Sequence, residues 1–155
     1  MPMPEQATAN ILLVTPTSAR LDRLTSTLSN AEEYCLRSVA DVALASALLA
    51  AKWPDLILLD VDLPELAAYT FCRSLQASSP ARDVPVIFVD AWNEGCDRSE
   101  GFAVGGADYL SSPFPAPEVL ARVRTHLELA RLRKCLRCAQ LTSDRGGFTA
   151  GDDFG

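Results

Sequence analysis

Short aliphatic runs alternate with helix-forming segments along most of this chain, and that alternation restricts the fold more than any other feature. The clearest runs are Ile11–Val14, Leu56–Leu59 and Val84–Val89, and weaker ones lie at Tyr34–Val39 and Asp108–Leu110. The clear runs are continuously apolar, which is typical of strands that are covered on both faces. Because parallel strands need crossover connections, regular strand–helix alternation predicts a parallel sheet between two layers of helices.

Four helical segments are predicted between these runs. Leucines recur at helical spacing in the first, from Leu21 to Leu28, and Asp41 is placed to cap the second, Val42–Ala51. The third carries Tyr69–Leu75, and a weak fourth at Asp97–Val104 stops at a pair of glycines. At this length the pattern predicts an α/β fold with a five-stranded, parallel, doubly wound sheet and right-handed crossovers.

The last helical segment is unusually long. Pro115 and Pro117 suit a helix start, and no Gly or Pro interrupts residues 118–141. Heptad-spaced apolar residues run in two series, which are Leu120, Val123, Leu127 and Ala130, and then Leu129, Leu132, Leu136 and Ala139. The shift between the series predicts an inner half that packs on the domain and a protruding half that could pair with another helix.

We therefore divide the chain into four parts. Residues 1–9 are predicted to be a flexible N-terminal tail, and residues 10–129 form the α/β domain. Residues 130–142 form a helical extension that could become a coiled coil, and residues 143–155 are a flexible C-terminal tail. Both tails are rich in small and polar residues and contain Gly or Pro.

Composition excludes several classes of protein. Hydrophobic residues make up 48% of the 155 residues, which fits one globular domain. The net charge of -6 disfavours a nucleic-acid-binding surface. No apolar stretch approaches the roughly 20 residues that span a bilayer, and the N-terminus lacks a signal-peptide core. We expect a cytoplasmic protein that binds neither nucleic acid nor membrane.

The cysteines and the basic residues of the last helix admit more than one interpretation. Five cysteines without a disulfide framework's density indicate reduced thiols. Cys135 and Cys138 have CxxC spacing, so two paired chains could bring four sulfurs together or form an interchain disulfide. The basic run Arg131–Arg137 could contact acidic partners or nucleic acid, but a solvated flank of a paired helix fits it better. His126, the only histidine, fits a surface or groove position.

A candidate site lies at the carboxyl ends of the strands, where doubly wound sheets bind ligands. Asp60 and Asp62 directly follow an aliphatic run, although burying an unpaired carboxylate is costly. An open site at the strand end is the expected explanation. The other strand ends supply Thr15, Pro16, Asp90, Ser111 and Ser112. Asp60 therefore lies at the centre of the predicted pocket.

With these residues the chain resembles the receiver domain of two-component response regulators, from about Asn10 to about Leu129. The resemblance rests on four stretches in order, ILLV, PDLILLDVDLP, VPVIFVDA and GGADYLSSPF. It implies a flavodoxin-like fold and a role in phosphorelay signalling. It places Asp60 where the family's aspartate accepts phosphate from a histidine kinase. The implied partners are a kinase, an output domain or another signalling protein.

The resemblance also implies that the residues which assist this chemistry are changed. Thr15 and Pro16 stand where the family has an acidic pair that holds Mg²⁺. Asp90 replaces a Thr or Ser, and Ser112, followed by Pro113, replaces a lysine. Tyr109 matches an aromatic position that reports the switch state, and Trp92 lies in the loop after Asp90. This pattern implies a degenerate receiver, or pseudo-receiver, with no cofactor.

Three functions remain open. The first is a non-enzymatic pseudo-receiver that acts through protein contacts and dimerises through its last helix. The second is a phosphoacceptor receiver with an altered metal site, in which Asp60, Asp62 and Asp90 hold a divalent ion such as Mg²⁺. The third is a small-ligand sensor that uses the changed pocket, Trp92 and Ser112 included. The chain could be a stand-alone adapter or a piece of a longer protein.

Overall fold

The computed structural model describes residues 9–16, 22–31, 33–63, 67–77, 83–90, 98–111 and 114–142. Five strands are present, β1 Ala9–Val14, β2 Tyr34–Val39, β3 Leu56–Asp60, β4 Val86–Asp90 and β5 Asp108–Ser111. Five helices alternate with them, α1 Asp22–Asn30, α2 Val42–Ala51, α3 Ala67–Ala77, α4 Arg98–Ala103 and α5 Ala116–Thr142. The predicted flexible tails lie outside the described residues, apart from Ala9, which begins β1.

All strand pairs are parallel, and the strand order is β2-β1-β3-β4-β5. This order confirms the predicted doubly wound α/β sheet. The order of the strands reverses between β1 and β3, so the carboxyl ends of these two strands flank a topological switch point. Asp60, the last residue of β3, lies beside that point.

Two apolar cores cover the two faces of the sheet. Alternate residues of each strand point to opposite faces, so Leu12, Val14, Ile57 and Leu59 join one cluster while Ile11, Leu13, Leu56 and Leu58 join the other. Helices α2 and α3 close the first cluster, and α1 and α5 close the second. All residues of β3 and β4 are buried, which explains why their sequences are continuously aliphatic.

Local signals predicted most element boundaries to within two residues. The Asp41 carboxylate accepts a hydrogen bond of 2.8 Å from the Leu44 N–H, which confirms the predicted cap of α2. Strand β4 begins two residues later than the predicted run and ends on Asp90. Among the helices within the described ranges, none has the length and apolar character needed to cross a membrane.

Helix α5 changes its surroundings along its length. Val119 and Val123 are buried in the second core, and Leu127 is the last α5 residue that packs against it. Residues 131–139 are all exposed. The second half of α5 therefore runs past the packed part of the domain.

A charged cluster joins β5 to α5. The Asp108 carboxylate accepts hydrogen bonds from Arg122 Nη1 at 2.7 Å and from the Tyr109 N–H at 2.8 Å, and it lies 3.0 Å from His126 Nε2. Burial raises the pKa of Asp108, but the hydrogen bonds from His126, Tyr109 and Arg122 and the charge of Arg122 outweigh it, so that pKa lies below its usual value. Ionised Asp108 therefore anchors α5.

Replacement of Asp108 by Asn should remove a pH-dependent part of the stability. The lowered pKa means that ionised Asp108 stabilises the fold above its unfolded pKa of about 3.9. This stabilisation is lost as the pH falls through the lower, folded-state value. Urea unfolding at a series of pH values should therefore show Asp108→Asn to be less stable at neutral pH and to converge with wild type in acid. A difference that stays constant down to about pH 2.5 would contradict this assignment.

Candidate functional site

Asp60 is a fully buried carboxylate at the end of the central strand β3. The Thr15 hydroxyl, Oγ1, donates a hydrogen bond of 2.7 Å to Asp60 Oδ2, and the Asp62 N–H donates one of 2.8 Å to Asp60 Oδ1. Thr15 directly follows β1, so the first of these bonds connects neighbouring strand ends. Both carboxylate oxygens thus have a donor, which offsets the cost of burying the group.

A second carboxylate ends the adjacent strand. Asp90 is the last residue of β4 and is 1% exposed. In the β3–β4 pair Asp60 lies opposite Val89, so Asp90 extends one residue further at the same edge of the sheet. Two buried carboxylates at neighbouring strand ends oppose the arrival of another negative group.

The structure brings together only part of the predicted site. Thr15, Asp60 and Asp62 are joined by the two hydrogen bonds described above. Pro16 and Asp62 are exposed. Ser111 ends β5, whereas Trp92, Ser112 and Pro113 lie outside the described residues. The small-ligand hypothesis depends partly on Trp92 and Ser112 and remains a prediction.

Tyr109 lies in an aromatic cluster between β4 and α4. It is 2% exposed, and its ring contacts Phe88 at 5.3 Å and Phe102 at 5.5 Å between centroids. Its hydroxyl lies 3.4 Å from that of Tyr69 on α3. A Cβ at Gly101 would lie 2.2 Å from the Tyr109 hydroxyl, so α4 approaches this closely only because Gly101 has no side chain. The cluster holds the Tyr109 side chain inside the domain.

The described residues around Asp60 offer Mg²⁺ fewer ligands than the acidic pair that the resemblance implies. This ion takes about six oxygen ligands in near-octahedral geometry, and one or two of them are usually protein carboxylates. Thr15 and Pro16 offer no carboxylate, and the Thr15 hydroxyl already donates to Asp60. Across the described ranges, no three His, Cys, Asp or Glu residues are grouped as metal ligands. The proposed ion site of Asp60, Asp62 and Asp90 therefore gains no support.

The thiols within the described ranges are all free. Cys35, Cys135 and Cys138 are exposed, whereas Cys72 is buried, and burial raises the pKa of its thiol to about 11. Cys96 lies outside the described residues. A buried thiol with a raised pKa is a poor nucleophile, so Cys72 is a packing residue of α3.

Two features of the structure were not predicted from the sequence. The first is the contact between the hydroxyl groups of Tyr69 and Tyr109, with Gly101 packed against the Tyr109 ring. It brings together residues of α3, β5 and α4. The second is the position of His126, whose side chain is only 15% exposed and lies against Asp108. The four-residue spacing of Arg122 and His126 on α5 was the available signal, because it places both on one face of the helix.

Comparison with known proteins agrees with this architecture. Residues 11–124 match the family model of the response regulator receiver domain. The chain belongs to this receiver family.

Two relatives are longer proteins, and the chain matches only part of each. It is 33% identical over 143 residues to the response regulator PleD of Caulobacter vibrioides, a match that covers 92% of this chain and 31% of PleD. It is 46% identical over 74 residues to the transcriptional regulatory protein CreB of Escherichia coli, covering 48% of this chain and 31% of CreB. The matches thus span about a third of each relative.

Two solved structures have the same fold. The receiver domain of the sensor histidine kinase PA1611 from Pseudomonas aeruginosa, which holds a magnesium ion in its active-site cleft, is 29% identical with a TM-score of 0.69. It covers 79% of this chain, and the match covers 99% of that domain. The receiver domain of an HD domain-containing protein from Pseudomonas fluorescens is 26% identical, with a TM-score of 0.69 and coverages of 80% and 98%.

Replacement of Thr15 by Val should destabilise the domain by about 1–3 kcal/mol, because it leaves Asp60 Oδ2 without the hydroxyl donor at nearly constant volume. Thr15→Ser keeps the hydroxyl and serves as the matched control. Chemical denaturation of the three proteins at neutral pH measures the difference. Equal losses for the Val and Ser variants would mean that the Thr15 methyl group matters and the hydrogen bond does not.

Proposed function

We propose that this receiver domain is a pseudo-receiver, a non-enzymatic module that signals through protein contacts without phosphorylation. The observation that carries the proposal is the burial and hydrogen bonding of the Asp60 carboxylate. Its carboxylate is fully buried and accepts hydrogen bonds from Thr15 and from the Asp62 backbone. The resemblance implies Mg²⁺ ligands at Thr15 and Pro16, and neither residue has a carboxylate.

Electrostatics opposes phosphorylation in this arrangement. Phosphoryl transfer to Asp60 would form an acyl phosphate and place a dianionic group next to the Asp90 carboxylate. Two unit charges about 5 Å apart repel by roughly 3 kcal/mol at an effective dielectric constant near 20. Ser112 stands where the family's lysine would offset this charge. The repulsion is therefore left without the compensating cation and metal.

Protein partners supply the output in this proposal. PleD is a response regulator and CreB a transcriptional regulatory protein, and the chain matches about a third of either one. By analogy, the activity that this receiver controls belongs to a partner protein or to another part of a longer chain. The domain's own contribution is its surface and the long helix α5.

A phosphoacceptor is the second candidate, favoured by the position of Asp60 at the carboxyl end of β3 beside the switch point. The similar receiver domain of PA1611 holds a magnesium ion in its active-site cleft. Here the ion would have to bind Asp60, Asp62 and Asp90. The structure does not bring these three carboxylates together as metal ligands. This candidate therefore stands second.

Intact mass after incubation with acetyl phosphate and Mg²⁺ separates the two candidates. We expect no phosphoryl adduct on the wild-type chain, and the same result for Asp60→Asn. The fourfold variant Thr15→Asp, Pro16→Asp, Asp90→Thr and Ser112→Lys restores the residues that the resemblance implies at these positions. It should gain an adduct if the changes at these four positions are what prevents phosphorylation. A wild-type adduct that disappears in Asp60→Asn would overturn the proposal in favour of the phosphoacceptor.

A further inference from the structure

A small, mainly apolar cavity lies where the end of helix α2 meets the strands β1 and β2. Its volume is about 90 Å³, and its apolar walls include Leu12 of β1, Leu48 and Leu49 of α2, and Trp53 and Pro54 before β3. Trp53 is 39% exposed, so one wall is a large aromatic side chain in contact with solvent. The cavity is near the amino ends of the strands, whereas the pocket of the small-ligand hypothesis is at their carboxyl ends.

A cation occupies a position where the pattern of β2 would place an apolar residue. Arg37 lies opposite Leu12 in the parallel β1–β2 pair, so both side chains point to the face of the sheet that α2 and α3 cover. Two residues further along β2, Val39 packs against the core of that face. Arg37 is exposed instead and lines the cavity. The apolar core of this face therefore borders a cavity that has a guanidinium on its wall.

A second cation lines the same cavity. Lys52 directly follows α2, and neither Lys52 nor Arg37 forms an ion pair with another residue in the described ranges. The nearby Asp55 carboxylate accepts a hydrogen bond of 2.7 Å from the Asn10 N–H and lines the neighbouring groove. A cation at the carboxyl end of a helix complements the helix dipole, which explains Lys52 alone. It does not explain two such cations beside one apolar cavity in a chain of net charge -6.

We propose that this cavity binds a small aromatic monocarboxylate, with its ring inside the cavity and its carboxylate between Arg37 and Lys52. Each water-sized atom needs roughly 10–15 Å³ of such space, so the cavity holds about six to nine non-hydrogen atoms, the size of a single ring. The Trp53 indole offers a surface on which that ring stacks. The Arg37 guanidinium has the planar geometry that donates two parallel hydrogen bonds to a carboxylate.

The walls of the cavity disfavour other classes of ligand. An inorganic phosphate would lose part of its hydration against apolar walls and gain no apolar contact in return. A cationic ligand would be repelled by both Arg37 and Lys52. A nucleotide is several times larger than the cavity. A single ring with one negative charge satisfies the volume, the aromatic wall and both cations.

The inference goes beyond the proposed function, because it gives the domain a chemical input near the amino ends of its strands. Trp53 and Pro54 also line a larger groove, whose other wall includes Lys134 of α5. A ring bound in the cavity would therefore contact residues that border the second half of α5. The two proposals fail separately: a phosphoryl adduct on Asp60 would overturn the pseudo-receiver and leave this site intact.

Titration of the isotope-labelled full chain with benzoate, followed by NMR spectroscopy, tests the site. The indole N–H signal of Trp53, identified by its loss in Trp53→Phe, should shift and saturate with a dissociation constant of about 0.1–1 mM. Benzamide keeps the ring but lacks the charge, and it should bind at least about 5-fold more weakly. Acetate keeps the charge but lacks the ring, and it should cause no saturable shift. No saturable shift with benzoate up to about 10 mM, or equal affinity for benzamide, would overturn the proposal.

Two substitutions of the same kind on α2 test the position of the ligand. Ala51→Phe puts a ring into the cavity that Ala51 lines, and it should weaken benzoate binding at least about 10-fold. Ala50→Phe is the matched control, because Ala50 is exposed one residue earlier and does not line the cavity, and it should bind benzoate like wild type. Equal benzoate affinity in the two variants would overturn this cavity as the site. The dispersion of the NMR spectra shows that both variants are folded.

Neutral substitutions test the role of the two cations. Arg37→Gln and Lys52→Gln should each weaken benzoate binding about 3- to 10-fold, because each removes one charge-assisted contact with the carboxylate. Neither substitution should change the weaker affinity for benzamide. Benzoate affinity that is unchanged in both variants would overturn the assignment of a carboxylate ligand.

Discussion

The arrangement of this receiver depends on how a buried carboxylate is satisfied at the end of the central strand. Asp60 ends a strand whose five residues are all buried, and ionised groups in such surroundings must be matched by donors. The match comes from Thr15 on the loop after β1 and from the backbone of Asp62. The hydroxyl that holds Asp60 occupies the position where the resemblance implies a metal-binding carboxylate. In this chain, that position supplies a structural hydrogen bond to Asp60.

Helix α5 begins against the sheet and ends beyond the packed part of the domain. Its first half is anchored by apolar packing at Val119 and Val123 and by the Asp108 cluster at the start of β5. Its second half is held over the amino ends of the strands by Arg137 and Asp83. Because α5 is one continuous helix, the packing of its first half sets the direction and rotation of its second half. The exposed leucines Leu132 and Leu136 therefore have one orientation relative to the domain.

The sequence predicted the fold well because the decisive signals are local. Continuous aliphatic runs, the Asp41 cap and the uninterrupted last helix each depend on neighbouring residues, and each was found in the expected place. The position of Asp60 at a strand end also followed from one run. What the sequence did not predict depends on contacts between distant elements. Tyr69 meets Tyr109 across 40 residues, and His126 meets Asp108 across 18.

The apolar residues of α5 show the same difference between local signals and contacts with distant elements. Two heptad series were visible in the sequence, but their significance came from knowing which side of the helix the sheet covers. Burial of Val123 and exposure of Leu132 settle that question. Spacing alone gives two stripes, and only the packed domain distinguishes the inner one from the outer one.

The path of α5 also gives the domain two poles. Asp60 and Asp90 lie at the carboxyl ends of the strands, whereas the projecting half of the helix lies near Asp55 and Asp83 at the amino ends. A five-residue strand separates the poles by about 15 Å. A protein bound at one pole would not obstruct the other, so the two occupants would meet only through the sheet between them. If that sheet has a single arrangement, their binding free energies add, and the domain serves as a passive connector.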